Sequence, residues 1–178
     1  VLLSGYTGEE NFIDPMCGSG TILIEAAMIA NNIPANINRK LFAFEQWKDY
    51  DEDLYFTIQE SLLKKIRSSH FKIMGFDKAP SAVEKATANV ANANLDEFIG
   101  VHHVNFFNSK KEVFGNTTIL FNPPYGERLN IDTEEFYKKI GDTLKNNYPG
   151  STAWLITSDT DALKAVGLRT SRRIALKN

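Results

Sequence analysis

The sequence has a single cysteine, Cys17, among its 178 residues. One cysteine excludes an intramolecular disulfide framework and is typical of a reducing compartment, so we expect a cytoplasmic protein. An excess of one charge is also absent, because 20 basic residues stand against 22 acidic residues for a net charge of -2. This balance excludes a protein that binds nucleic acid by bulk electrostatic attraction alone.

Long hydrophobic runs are missing as well. No apolar run reaches the roughly 18 residues that a membrane span needs, so the sequence predicts no membrane partner. The N-terminus lacks the basic start and cleavage pattern of a signal peptide. It reads instead as the end of a helix, and the C-terminus stops within a strand-like run, Arg173 to Leu176. We therefore expect one domain over residues 1–178, cut from a longer chain and with its last strand truncated.

The sequence also lacks a convincing metal-binding pattern. The acidic run from Asp49 to Glu60 imitates a calcium loop, but Leu54 stands where the sharp turn of that loop needs glycine. His102 and His103 are adjacent on a predicted strand and point to opposite faces, so they cannot chelate one ion together. The prediction is that no metal is bound.

What the chain does contain is an alternation of short apolar segments with helical patterns. The predicted strands are Phe12–Asp14, Phe71–Phe76, Ile99–Val104, Thr117–Phe121 and Ser151–Thr157. Helices are predicted at Ser19–Ala30, Leu54–Arg67, from Pro80 to Ala93, after Asp132 with Glu135 as its reciprocal capping partner, and at Asp161–Val166. The alternation predicts an α/β fold with a mostly parallel sheet and helices on both faces.

Between the first two predicted helices lies an irregular excursion, residues 31–53. Its aromatic side chains, Phe42, Phe44 and Trp47, are expected to pin it in place. We expect Trp47 and Trp154 to be core residues rather than platforms for stacking bases.

The stretch from Asn11 to Thr21 organises the rest of the chain. A short apolar run ends at Asp14, a tight turn with Gly18 and Gly20 follows, and a long apolar helix then begins. Such a strand–turn–helix unit places a ligand at the carboxyl end of a parallel strand. The glycines permit a sharp turn and close approach of a ligand, and their N–H groups are expected to donate to it. A bare turn is the alternative interpretation.

Asp77 ends the second predicted strand. In a dinucleotide fold an acid at this place accepts hydrogen bonds from the ribose hydroxyls of the ligand. The alternative is an aspartate that only caps the helix beginning at Pro80.

The sharpest signal is the tetrapeptide Asn122-Pro123-Pro124-Tyr125, after the fourth predicted strand. Prolines fix the backbone and remove N–H donors, which leaves the Asn122 side-chain carbonyl and the Pro123 C=O as a pair of acceptors. Such a pair suits an NH2 group, and accepting both hydrogens frees the nitrogen lone pair for attack. Tyr125 is then placed to stack on the flat ring that bears the amine. A simple strand-ending turn is the alternative.

Together, the runs Asp14–Thr21 and Asn122–Leu129 resemble the S-adenosylmethionine (SAM)-dependent RNA methyltransferases associated with THUMP domains. The nearest branch comprises bacterial 23S rRNA guanine-N2 methyltransferases and relatives labelled N6-adenine-specific DNA methylases. The resemblance covers most of the chain, including the segment Asn38–Glu45. It implies a Rossmann-like class I methyltransferase fold and SAM as cofactor.

The resemblance also implies residue roles. Asp14 and the turn after it would hold the amino-acid end of SAM, Asp77 its ribose, and Asn105 and Phe106 its adenine, with Phe76 as an alternative apolar cover. Asn105 departs from the family, which usually has an acid there. The implied cofactor-binding residues are Asp14, Pro15, Met16, Gly18, Ser19, Gly20, Asp77, Asn105 and Phe106, and the implied catalytic residues are Asn122, Pro123, Pro124 and Tyr125.

The implied reaction is direct methyl transfer to an exocyclic amine of an RNA base, with guanine N2 of 23S rRNA as the expected target. Cys17 is not expected to act as a nucleophile, because it does not stand at the active-site strand end. Three alternatives stay open: an N6-adenine methylase of DNA or RNA, a methylase of protein glutamine amides, and a cofactor-binding scaffold without catalysis. Since an RNA-binding THUMP region is expected upstream, residues 1–178 alone are expected to bind SAM weakly and RNA poorly.

Overall fold

Five parallel strands form the sheet at the centre of this computed structural model, which describes residues 1–124 and 132–175. The strands are β1 (Asn11–Asp14), β2 (Ile73–Asp77), β3 (Ile99–His103), β4 (Thr117–Phe121) and β5 (Ser151–Leu155). The α-helices are α1 (Thr21–Ala30), α2 (Glu52–Leu63), α3 (Pro80–Asn92), α4 (Thr133–Asn147) and α5 (Ala162–Ala165). Within the described residues no helix is long and apolar enough to cross a membrane.

The strand order is β3-β2-β1-β4-β5, so the chain starts in the middle of the sheet and grows first to one side. It then returns past β1 and adds β4 and β5 on the other side. Asp14 of β1 pairs with Gly75 of β2, and Ile13 pairs with Ile119 of β4. The strand order therefore reverses between β1 and β4, which is where open α/β sheets bind their ligands.

The core is divided into two apolar layers by the sheet. Phe12 packs in one layer with Leu23 of α1 and Val90 of α3. Its neighbour Ile13 packs in the other layer with Phe136 of α4. Successive residues of a strand point to opposite faces. The predicted sandwich of a parallel sheet between helices on both faces is thus confirmed.

The excursion before α2 forms an aromatic cluster outside these two layers. The rings of Phe42 and Phe44 stack with their centroids 5.2 Å apart, and Trp47 meets Phe44 at 6.4 Å. The prediction that aromatics pin this segment is confirmed. Trp47 itself is 67% exposed, so its prediction as a core residue was wrong. It lies at the outer side of the cluster and meets Phe44 edge to face, with an angle of 67° between the two ring planes.

Several predicted element boundaries differ from the structure. Helix α2 begins at Glu52, because the Asp51 carboxylate accepts the Leu54 N–H at 2.9 Å, and it ends at Leu63 rather than at position 67. The run from Arg173 to Leu176 was predicted to begin a strand. Residues 173–175 do not form one, and residue 176 lies outside the described residues. No neighbouring strand pairs with residues 173–175.

Of the two capping interactions predicted for α4, one is present. Asp132 accepts the Glu134 N–H at 2.8 Å as an N-cap should. The expected return bond from Glu135 is replaced by an ion pair with Lys139, 2.7 Å away and one turn further along the helix.

Gly141 lets the chain after α5 pack directly on α4. A Cβ atom at Gly141 would overlap the carbonyl oxygen of Val166 and lie 2.7 Å from its carbonyl carbon. Helical glycine-to-alanine changes normally stabilise by about 1 kcal/mol. Here the sign is inverted, because the backbone of Val166 has to move.

We expect Gly141→Ala to lower the free energy of unfolding by about 1–3 kcal/mol, the usual cost of overpacking. Urea denaturation measures it, with the exposed neighbour Asp142→Ala as the matched control on the same helix. A Gly141→Ala protein as stable as the control would contradict this packing.

Candidate active site

The polar residues singled out in the sequence lie at one edge of the sheet. Asp14, Asp77 and Asn122 end or follow β1, β2 and β4, three adjacent strands that run in the same direction. Asn105 follows the next strand outward, β3. The structure thus brings together the predicted residues at the carboxyl edge, with the turn after β1 and the turn after β4 on either side of the point where the strand order reverses.

The glycine turn folds back on itself. The Gly20 N–H donates to the Cys17 carbonyl at 2.8 Å, and the Gly18 N–H donates to the Asp77 carboxylate at 3.0 Å. The prediction that these two N–H groups donate to a ligand was therefore wrong for this structure. The open space at Gly18 is the feature that a ligand can use, since a Cβ there would have no atom within 4 Å.

Gly20 has a different function in the turn. Its φ of +82° is a left-handed conformation, and a Cβ there would lie 3.2 Å from the Cβ of Ala86 on α3. Asn89 of α3 donates to the Ser19 carbonyl at 2.9 Å. The turn is thus stabilised by the hydrogen bonds of its own backbone and by contacts with α3.

Asp77 joins two loops through its carboxylate. One oxygen accepts the Gly18 N–H at 3.0 Å, and the other accepts the Ala79 N–H at 2.9 Å. Each carboxylate oxygen has two acceptor positions, so one remains on each for the two hydroxyls of a ribose. Ala79 is the N-cap residue of α3 and this helix has no side-chain capping bond, so Asp77 closes the turn before the helix and the capping alternative was wrong. The remaining acceptor positions of Asp77 agree with the ribose interpretation.

Asp14 is buried beneath the turn, with only 1% of its surface exposed. Burial raises the pKa of its carboxyl to about 7; the hydrogen bond from the Met16 N–H opposes this, and the charge of Asp77 adds to it. A positive charge close by would favour the ionised form. Pro15 is fully buried beside Asp14, and Met16 packs at the edge of the α4 layer.

Cys17 lies in the same buried turn. Burial, together with the charges of Asp14 and Asp77, raises the pKa of its thiol to about 12. The thiol therefore stays protonated at neutral pH and is a poor nucleophile. This agrees with the expectation that Cys17 takes no covalent part in the reaction.

Gly75 was missed in the sequence, although it shapes the site. It lies opposite Asp14 on β2, and a Cβ there would overlap the Leu23 side chain and lie 3.1 Å from the Cys17 sulfur. Because Gly75 has no side chain, the turn after β1 packs directly against β2. A glycine inside an otherwise apolar strand was the available signal, since it often marks a close approach of backbone.

Asn105 and Phe106 begin the short 3-10 helix Phe106–Asn108 after β3. The Asn105 side-chain oxygen caps this helix by accepting the Phe107 N–H at 3.1 Å. The Phe106 ring is buried against Phe121 and Tyr148, with centroids 5.6 Å apart in both pairs. The Asn105 NH2 group and the Phe106 backbone are what this segment offers to a ligand.

The acceptor turn follows β4. Asn122 is exposed, Pro123 is buried and Pro124 is half-buried, so the prolines anchor the turn while the amide faces outward. The adjacent strand supports the turn, because the Ile156 N–H donates to the Phe121 carbonyl at 3.0 Å. Tyr125 lies outside the described residues, as do residues 126–129.

A second support of this edge was not found from the sequence. The hydroxyls of Tyr137 on α4 and Thr157 after β5 are 2.7 Å apart. This bond ties the chain beyond Ile156 to the helix that follows the acceptor turn. A tyrosine on the inward face of a predicted helix was the only signal, and its partner depends on the tertiary fold.

Residues 1–178 match the family model described as an RMKL-like methyltransferase domain. The chain belongs to this family. It is 34% identical to the ribosomal RNA large subunit methyltransferase K/L of Photobacterium profundum, over 100% of the chain and 26% of the relative. The corresponding Hahella chejuensis protein is also 34% identical, over 96% of the chain and 25% of the relative. The chain thus spans about a quarter of the length of these curated family members.

Solved structures support the same assignment. SMU.472, described as a methyltransferase and complexed with SAH, is 33% identical with a TM-score of 0.86, over 96% of this chain and 45% of that one. A Listeria monocytogenes protein described as a predicted N6-adenine-specific DNA methylase is 28% identical with a TM-score of 0.84, over 96% and 45%. The predicted Rossmann-like class I methyltransferase fold is confirmed.

The raised pKa of Asp14 makes a prediction about stability. Between its ordinary pKa of 3.8 and about 7, the unfolded chain ionises Asp14 while the folded chain keeps the proton, so stability falls as the pH rises. An asparagine still accepts the Met16 N–H but does not titrate. We expect Asp14→Asn to gain stability relative to the wild type across this interval, by a few kcal/mol at about 1.4 kcal/mol per pKa unit, and then to level off.

Urea denaturation from pH 4 to pH 8 measures this difference, with the exposed Asp142→Asn as control. A difference between Asp14→Asn and the wild type that stays constant over the whole range would show that the buried carboxyl is not perturbed.

Proposed function

We propose that this chain is the catalytic domain of a SAM-dependent RNA methyltransferase that modifies an exocyclic amine, with guanine N2 of 23S rRNA as the target. The single observation that supports this most is the position of Asn122-Pro123-Pro124. The turn follows β4, beside the open glycine turn of β1, at the point where the strand order reverses. The curated relatives named ribosomal RNA large subunit methyltransferase K/L support the choice of substrate.

The residues present fit SAM as the bound cofactor. SAM carries positive charge on its sulfonium and ammonium groups, and two carboxylates, Asp14 and Asp77, lie at the glycine turn. In this proposal Asp14, Pro15, Met16 and the turn Gly18–Gly20 hold its amino-acid end. Asp77 accepts the ribose hydroxyls, and the Asn105 amide with the Phe106 backbone borders the adenine. SMU.472, whose structure contains SAH, has the same fold at 33% identity.

The chemistry proposed for this chain is the orientation of an amine. The Asn122 side-chain oxygen and the Pro123 carbonyl accept the two hydrogens of the NH2 group, which turns its lone pair away from the ring. Tyr125 stacks on the base, which has to leave its helical stack to reach the turn. When bound, SAM supplies the methyl group as an electrophile. The enzyme thus acts by positioning and by hydrogen bonding, and Cys17 stays out of the reaction.

RNA affinity is proposed to come mainly from parts of the protein outside these 178 residues. The chain has a net charge of -2, which offers no general attraction for a polyanion. A cytoplasmic location belongs to the same proposal, because that is where a bacterial rRNA substrate and a reducing environment occur together.

An N6-adenine methylase is the second candidate. The similarity of this chain to the Listeria monocytogenes protein described as a predicted N6-adenine-specific DNA methylase favours it. Adenine and guanine both present an amine on a flat ring, so the acceptor turn does not separate them. The near-neutral charge counts against a free-standing DNA enzyme, which usually carries its own basic groove.

The deciding experiment is transfer of labelled methyl from SAM to unmodified 23S rRNA by the full-length protein, followed by nucleoside analysis. We expect the label in N2-methylguanosine. Label in N6-methyladenosine would move the function to the second candidate. No transfer to the rRNA, with label appearing in glutamine when the same protein is supplied with protein substrates, would overturn the proposal. No transfer to rRNA or to protein would overturn it as well.

Asn122→Ala tests the acceptor turn. Loss of a preorganised hydrogen-bonding group at the reacting centre typically costs about 100-fold or more in kcat. We expect a loss of that size, while the Kd for SAM stays within about twofold, because Asn122 is exposed and lies across the crevice from the glycine turn.

Asn92→Ala, at the exposed end of α3, is the matched control and is expected to keep full activity. Wild-type kcat in Asn122→Ala would remove this residue from the reaction. A variant that loses SAM binding, in a protein without measurable transfer activity, would favour the non-catalytic scaffold.

A further inference from the structure

The turn at residues 77–79 begins at the last residue of β2 and is held by hydrogen bonds from β3 and from Val104, which follows β3. The Val104 N–H donates to the Asp77 carbonyl at 3.0 Å. The Nε2 atom of His103 lies 3.0 Å from the Lys78 carbonyl oxygen. Within the turn, the Asp77 carboxylate accepts the Ala79 N–H at 2.9 Å. Two of these three bonds come from neighbouring residues of one segment, 103–104.

The His103 bond has a defined direction. A carbonyl oxygen only accepts, so His103 Nε2 must carry the hydrogen, both in the neutral ring and in the cation. The register of the sheet places His103 opposite Asp77, so its ring has to cross only one strand spacing to reach Lys78. The ring is exposed and contributes little to the core. Its hydrogen bond to the Lys78 carbonyl therefore joins an otherwise exposed side chain to the turn.

We propose that His103 is a positioning residue for the adenosine end of the cofactor. By holding the Lys78 carbonyl, His103 fixes the turn that aims the Asp77 carboxylate at the ribose. The same carboxylate accepts the Gly18 N–H at 3.0 Å, so the position of Asp77 also affects the position of the glycine turn. This inference rests on the proposed function, since it assumes that SAM binds at Asp77.

The adjacent histidine provides a matched control. His102 is on the same strand and is also exposed, but its side chain points to the opposite face of the sheet. Its ring is 6.1 Å from the ring of Phe76 and makes no hydrogen bond to the turn 77–79 in the part of the chain that the structure describes.

The test is calorimetric titration of SAM into the full-length protein and three variants, together with kcat at saturating SAM. His103→Leu replaces the ring by a side chain without a hydrogen-bond donor, whereas His103→Gln places an amide N–H at a similar distance from the backbone. We expect His103→Leu to raise the Kd for SAM about two- to tenfold, the usual range for one hydrogen bond, with kcat unchanged. His103→Gln should restore most of the affinity, and His102→Leu should bind as the wild type does.

The outcomes separate this inference from the proposed function. If the wild type binds SAM and His103→Leu binds it equally well, the positioning function is wrong and the proposed function stands. An affinity loss that His103→Gln does not restore, or that His102→Leu shows to the same extent, also overturns the inference. If the wild type does not bind SAM, the proposed function fails and the inference fails with it.

Discussion

The central position of β1 is the constraint on which the rest of the structure depends. All four residues of this strand are buried, and it pairs with β2 on one side and with β4 on the other. Helices cover both of its faces, so its apolar residues are divided between two core layers. Because the strand order reverses beside β1, the turn after β1 leads to α1 on one face of the sheet, while the turn after β4 precedes α4 on the other face. The crevice between two such turns is where open α/β sheets bind their ligands.

Two carboxyl groups lie close together at this crevice. Asp14 is buried below the glycine turn, and Asp77 holds the same turn through the Gly18 N–H. Burial is the main cause of the raised pKa of the Asp14 carboxyl and of the Cys17 thiol, and the charge of Asp77 adds to both. A cationic ligand would relieve this repulsion, which a phosphate would increase. The electrostatics therefore agree with a sulfonium cofactor. Burial, together with these charges, keeps the Cys17 thiol protonated and unreactive.

The sequence predicted β4 with its observed bounds and placed the other strands to within a few residues, since each is a short apolar run between turn residues. Errors occurred where a residue has more than one possible partner. The N–H groups of Gly18 and Gly20 were expected to face a ligand but bond within the site. Glu135 was expected to cap its helix but pairs with Lys139, and Trp47 lies at the surface of an aromatic cluster. Local patterns do not choose among such partners.

By itself, the sequence determined the α/β class, the polar residues that end each strand and the acceptor character of Asn122-Pro123. These are local properties, set by hydrophobic periodicity and by the chemistry of glycine and proline. Only the tertiary structure decided that β1 lies between β2 and β4, that Gly75 makes room for Cys17, and that His103 reaches the turn beside Asp77. Those contacts join residues that are distant in the chain, and strand order, which no local pattern specifies, brings them together.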